Sequence, residues 1–240
     1  MACVTSIGVG ERATLAEQAS EAQVSGPQSA RREAGPLTDK GLTRKMELLA
    51  AARRVFEREG YYDTRVADIG REAGASHGTF YTYFDSKEAV FREVAQHVIG
   101  EVLQGLHTDE VPDDPIDRIR AALKRFTDAY RPAARMIAII EEVAAATPEI
   151  RDLRRSMRED FLQRTVRGIK RWQEDGTADP DLNADLVAEA LGSMVDQVCY
   201  VRWNLGKDFD EEALLDTLTT VWARAIGVQE SHRRRLHRSA

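Results

Sequence analysis

The residues with the clearest chemical potential gather in one short stretch, GASHGTFYTYF, from Gly74 to Phe84. Four aromatic rings occupy the five positions Phe80–Phe84 of a chain that is 7% aromatic, and Ser76, Thr79 and Thr82 interleave hydroxyls with them. Such a set supplies hydrogen bonds rather than nucleophilic catalysis. The chain has five histidines, two of them in its C-terminal tail, and they compose no His-Asp-Ser or Cys-His arrangement.

Two further clusters carry charge at suggestive spacing. Asp113, Asp114 and Asp117 spell DDPID, which fits the DDxxD magnesium motif of helical prenyl-processing enzymes. Pro115 interrupts it, however, and proline belongs in the first turn of a helix, which leaves Asp113 and Asp114 outside as cap or loop residues. No second acidic motif accompanies it. Glu93, His97 and Glu101 recur every fourth residue and could ligate a metal, but no other helix offers a His-Glu partner set, so an exposed polar face is the simpler reading. No metal or cofactor site is expected, and an Asp113/Asp114/Asp117 enzyme stays as a distant alternative.

Placed on a helix at about 100° per residue, Phe80 and Phe84 share one face and should enter a small core. Thr82 lies opposite, beside Gly78 and Thr79, while Tyr81 and Tyr83 project to the two flanks. This shape suits the major groove of DNA, with small residues and threonine against base edges and phenols reaching phosphates on both walls. A buried aromatic helix with two exposed tyrosines is the competing explanation. The surroundings favour DNA. Val66, Ile69 and Ala73 mark a preceding helix with Thr64 as its expected N-cap, Gly74 permits a sharp turn, and Ser76 caps the next helix. Helix, three-residue turn and helix make a helix-turn-helix. Thr64 and Arg65 at one helix start and Lys87 at another add donors where helix dipoles favour phosphate. His77 either faces phosphate or closes the helix start.

These elements need a scaffold, and the chain supplies one. Its 240 residues, 42% hydrophobic and 31% charged, suffice for one large domain or two small ones. A net charge of −6 lowers the expectation of nucleic-acid binding without excluding it, because local placement of donors matters more than the sum. No apolar run is long enough to span a bilayer and no secretory signal is apparent; Cys3 and Cys199 imply no disulfide framework, so a cytoplasmic location is expected. The pattern is all-α, about nine helices, with no strand and no internal repeat that stands out. It divides into a disordered arm (1–41), a helix-turn-helix domain (42–88), a larger helical domain (89–228) and a basic disordered tail (229–240). The first helix is expected from Thr43 to Gly60. Asp85 and Glu88 are spaced as a capping box for the fourth.

The run VADIGREAGASHGTFYTYFDSKEAVF, with FEREGYYDTRV before it, resembles the DNA-binding domain of the TetR family of bacterial transcriptional regulators. That resemblance implies a homodimer whose C-terminal helices bind a small apolar or amphipathic effector, releasing a palindromic operator. It implies a repressor rather than an enzyme. It also places Thr64, Arg65, Ser76, Gly78, Thr79, Tyr81, Thr82, Tyr83 and Lys87 at DNA-facing positions. Two residues depart from the family pattern: His77 stands where lysine is frequent and Tyr83 where histidine is usual. A DNA-binding dimer without effector fits the same helix count.

Toward the C-terminus, a helix over about 183–205 carries two apolar stripes and another over about 211–227 carries one. Leu191, Val195, Val198, Leu218, Val221 and Trp222 are candidates for a four-helix interface between two copies, with Gly192 allowing close approach. A monomer with a thick core is the alternative. Phe126, Tyr130, Met136, Ile140, Met157, Phe161, Trp172 and Met194 are candidates to line an apolar cavity, although for any single one of them plain core is the commoner role.

Overall fold

The structure, a computed structural model, describes residues 38–108 and 110–228, with every side chain among them except that of Met157. The expected arm and tail therefore lie outside the described residues, apart from 38–41. Nine α-helices and one 3-10 turn, Arg131–Ala133, make up the regular structure of the described residues. The helices are α1 (Asp39–Glu59), α2 (Val66–Glu72), α3 (His77–Tyr83), α4 (Lys87–Gly105), α5 (Pro115–Tyr130), α6 (Ala134–Ala146), α7 (Pro148–Glu174), α8 (Ala184–Trp203) and α9 (Glu211–Ala225). The first begins inside the segment expected to be arm, because Thr38 accepts a hydrogen bond from Gly41 N and caps it. No helix among the described residues is long and apolar enough to cross a membrane.

Caps explain most boundaries. Ser76 Oγ accepts from Thr79 N at 3.1 Å to start α3, and Asp114 Oδ1 accepts from Ile116 N and Asp117 N to start α5, with Pro115 at the first helical position. The fourth helix departs from expectation. Its cap is Ser86, whose Oγ accepts from Ala89 N at 3.1 Å, rather than Asp85. Glu88 then serves elsewhere: its carboxylate accepts from the Tyr61 hydroxyl at 3.0 Å.

Two apolar clusters hold the fold. The first joins α1–α4 to α6, through Phe56, Phe80, Phe84, Phe91, Met136 and Ile140. The second joins α5, α7, α8 and α9, through Leu123, Ile169, Leu191, Val195, Leu215 and Leu218. Ile137 touches both.

Candidate nucleic-acid interface and adjoining cavity

The helix-turn-helix is closed by small residues and by one arginine that α1 contributes. Gly74 adopts φ +57°, and Ala75 N donates to Gly70 O at 2.8 Å, folding the turn back on α2. A Cβ at Gly70 would stand 3.0 Å from Ala75 O, so that approach needs glycine. Arg44 donates from Nη1 to Ala73 O at 3.2 Å and from Nη2 to Gly74 O at 2.8 Å. The turn thus has its free carbonyls satisfied from outside the motif.

On α3, Phe80 and Phe84 are buried, packed ring to ring at 5.6 Å. The opposite face is exposed: His77, Gly78 and Thr82 stand there with Tyr81, which is 45% exposed. The His77 and Tyr81 rings lie 4.7 Å apart, one helical turn from each other. Ser76 Oγ and Thr79 Oγ1 share a 2.9 Å hydrogen bond, while Thr82 Oγ1 donates to Gly78 O. Arg65 is exposed at the start of α2, where its backbone N–H donates to Asp68 Oδ2 at 3.2 Å.

Behind the head lies a cavity of about 330 Å³ among α4, α5, α7, α8 and α9. Phe126, Phe161 and Trp172 line it, and a side chamber of about 70 Å³ reaches Tyr130 and Ile140, sharing Leu106, Phe126, Phe161 and Gly192 with the main volume. Four arginines also stand in the main lining, Arg118, Arg125, Arg164 and Arg171, and no carboxylate does. In the side chamber, Asp196 accepts from Arg154 at 3.3 Å, and burial holds its carboxyl above the ordinary range.

Two family models match the chain. Residues 48–94 fit the one described as "Bacterial regulatory proteins, tetR family", and residues 119–227 fit "Transcriptional regulator EthR, C-terminal domain". The HTH-type transcriptional regulator EthR of Mycobacterium tuberculosis is 27% identical over 200 residues, covering 82% of this chain and 91% of the relative. The chain belongs to the TetR family of bacterial transcriptional regulators. Among solved structures, Salmonella enterica GusR superposes with TM-score 0.65 at 19% identity, covering 80% of this chain and 98% of its own. The transcriptional regulator FadR from Bacillus subtilis, in complex with stearoyl-CoA, gives 0.61 at 18% identity, covering 75% and 98%.

This TetR-family protein is a DNA-binding regulator of transcription, a non-enzymatic class. The residues expected to face DNA divide unevenly between presentation and support. Arg65, His77, Gly78, Tyr81 and Thr82 are exposed; Ser76 is exposed too, with its hydroxyl engaged as a cap. Thr79 and Tyr83 are half-buried, Tyr83 packing against the first cluster. Thr64 is a correction: it is 2% exposed and its hydroxyl donates to Gly60 O at 2.6 Å, because a buried hydroxyl takes the nearest free carbonyl. The N-cap of α2 is Arg65 instead. Lys87 is a second correction. Its ammonium donates to Tyr61 O at 2.9 Å and Thr64 O at 3.0 Å, and sits 4.5 Å over the Tyr61 ring. It ties the α1–α2 link to α4 rather than reaching outward. Burial, then the bond to Glu88, raises the Tyr61 phenol, while hydrogen bonds from Glu88's own backbone N–H and Ser86 lower the Glu88 carboxyl.

The competing metal clusters are otherwise employed. Glu93 pairs with Lys45 at 2.6 Å and Glu101 with Arg53 at 2.8 Å, while Asp114 caps α5. Not every cavity candidate lines the cavity. Phe126, Tyr130, Ile140, Phe161 and Trp172 line one chamber or the other. Met136 is instead fully buried in the first cluster and Met194 packs against the second, whereas Met157 has its side chain outside those described.

Of the interface candidates, Leu191, Val195 and Leu218 are buried within the protomer, and Val195 and Trp222 line the cavity. Gly192 allows close approach to α7 of the same chain, where a Cβ in its place would stand 3.0 Å from Leu162 Cδ2. Val198 is half-buried, and Val221 is 40% exposed. The residues that α8 turns outward include Leu186, 68% exposed, Ala190, Ser193 and Tyr200, beside the polar Asp185, Glu189 and Gln197.

Helices α5 and α7 share a short repeat that hydrophobic periodicity alone does not bring out. Arg118–Phe126 reads RIRAALKRF and Arg164–Trp172 reads RTVRGIKRW. Both have arginine at positions one and eight, lysine at seven, a small residue at five, an aliphatic one at six and an aromatic one at nine. Matching positions of the two segments line the cavity, including Ala122 with Gly168 and Leu123 with Ile169. The signal was available as arginines seven residues apart, two turns along one helix face.

Proposed function

We propose that this chain acts as a homodimeric, cytoplasmic repressor that holds a palindromic operator and releases it when a small apolar or amphipathic effector enters the cavity. The observation that carries the reading is α4. One end, at Lys87 and Glu88, is bonded to the link that leads into the helix-turn-helix, and the other, at Leu106 just past its last turn, lines the cavity. A ligand that prefers one tilt of α4 shifts the balance between two head positions by its differential affinity for them. That the transcriptional regulator FadR from Bacillus subtilis, of similar fold, is solved in complex with stearoyl-CoA supports a ligand-responsive reading.

Two copies would meet along the outward faces of α8 and α9, where Leu186, Ala190, Tyr200 and Val221 leave apolar surface uncovered. Each recognition helix would then enter one of two successive major grooves. The exposed Tyr81 hydroxyl is assigned to phosphate, and Thr82 with Gly78 to base edges.

Selection of genomic fragments on the purified protein at low ionic strength tests this reading, and a common palindromic site is the expected result. On that site Tyr81→Phe should weaken binding to all variants alike, while Thr82→Ala should alter the preference among them. Log affinity should fall linearly with log salt. Recovery of no enriched fragment would refute the DNA role of this face.

A further inference from the structure

The cavity's polar groups are distributed between two ends. Phe126 stacks with Phe161 at 5.3 Å, and the Arg118 guanidinium lies 5.9 Å from the Trp172 ring centre. Helices α5 and α7 therefore run antiparallel across the cavity, so the repeat places Arg118 with Arg171 at one end and Arg125 with Arg164 at the other. Seven residues separate Arg118 from Arg125, about 10 Å of helix at ~1.5 Å per residue. Between the ends the wall is apolar or small: Ala122, Leu123, Gly168, Ile169 and Val195.

Three buried side-chain N or O atoms among the described residues lack a partner, and two belong to this lining, Arg125 Nε and Trp222 Nε1. They mark opposite ends. Asp179 N, just beyond α7, donates to Ile226 O at 2.9 Å, which brings the last turn of α9, and Trp222 with it, to the Arg118–Arg171 end. Each end thus combines two guanidinium groups with one buried unpaired N–H. No carboxylate in the lining answers them, and none of the four arginines has a salt-bridge partner among the described residues. A buried donor without an acceptor is unfavourable, and arginine matches carboxylate geometry in particular.

We propose that the cavity takes an elongated apolar molecule with an acid group at each end, an α,ω-dicarboxylate in its simplest form. One carboxylate sits with Arg125 and Arg164, the other with Arg118, Arg171 and the Trp222 indole N–H, and the hydrocarbon lies along Leu123, Gly168 and Ile169. This rests on the effector reading above and narrows its ligand class.

The test uses decanedioate, decanoate and 1,10-decanediol as probes, with the fluorescence of Trp172 and Trp222 reporting binding and the selected operator fragment reporting release. Decanedioate should bind at least about tenfold more tightly than either other probe, since one charged hydrogen-bonded contact at the second end is worth that much. Arg125→Gln and Arg118→Gln should each bring it to the level of decanoate. Decanoate or the diol binding as tightly as decanedioate in the unaltered protein would overturn the proposal, as would failure of all three. Gly168→Phe separates the two readings, because Gly168 lines the cavity and a Cβ there meets no atom within 4 Å, so the ring would be directed into the cavity volume. If Gly168→Phe abolishes release by a probe that is not a diacid, the cavity remains the effector site and only the diacid class falls. If release is unchanged by Gly168→Phe, both readings fall.

Discussion

In the reading head, Phe56, Phe80, Phe84 and Phe91 are all buried, with Phe56 and Phe91 meeting edge to face at 5.1 Å. In the bundle behind it, Phe126, Phe161 and Trp172 are only half-buried and stand around a cavity of about 330 Å³. The polar groups differ in the same sense. The head's buried Thr64 hydroxyl has its acceptor, whereas all three unpaired buried polar atoms of the described residues, on Arg125, Asn204 and Trp222, belong to the bundle. One region uses its aromatic rings to fix a surface at a single position. The other keeps similar rings apart and leaves donors unanswered, the arrangement on which the proposed effector role rests.

The sharpest way to break this comparison is to truncate a ring in each region. Phe80→Ala should destabilise the protein by about 3–5 kcal/mol in chemical denaturation, since it removes a fully buried ring from a closed core. Phe126→Ala should cost clearly less, because one side of that ring already faces open volume. Equal losses would mean that the bundle is packed as tightly as the head.

Next in size is Lys87→Met, expected to lower stability by about 2 kcal/mol through loss of its charge-assisted bonds to Tyr61 and Thr64 carbonyls. Operator affinity should fall further than stability alone explains, since the head would lose its register on α4. A change in salt slope without loss of stability would instead assign Lys87 to phosphate.

A pair of glycines should respond with opposite signs. Gly168→Ala in the middle of α7 should raise stability by up to about 1 kcal/mol, whereas Gly74→Ala, at φ +57°, should lower it by about 1 kcal/mol. Thermal melting of both variants reads the contrast directly. The smallest effect concerns pH. Burial raises the folded-state pKa of Asp196 above its ordinary 3.8, so the folded protein binds that proton more tightly than the unfolded chain. Its contribution therefore grows more favourable as pH falls through the folded value and levels off below about 3.8. Asp196→Asn should remove that slope from a stability-pH profile.

Much of this was legible in the sequence where interactions are local. The burial of Phe80 and Phe84 follows from their four-residue spacing, the start of α3 from Ser76, and the first turn of α5 from Pro115. Long-range contacts were not legible. Nothing near Lys87 says that its ammonium closes on carbonyls more than twenty residues earlier, and nothing near Arg44 marks it as the tether of a turn beyond α2. Met136 and Ile140 lie one turn apart on the same helix and both fill the first cluster, yet only Ile140 also borders a chamber, a distinction made by what packs opposite. The recurring arginine pattern of α5 and α7 could have been read, but its meaning depends on the two helices facing one another.

Lys87 also sets a mechanical scale. Its bonds make the first turn of α4 and the entry to the reading head a single stiff joint, so the helix behaves as a lever of 19 residues, about 28 Å long at ~1.5 Å per residue. Over that span, a displacement of about 2 Å at the far end corresponds to a tilt of only about 4°. Repacking of a few side chains at one extremity thereby becomes an angular error at the other, the kind of change that the proposed dimer on two grooves of fixed spacing would register.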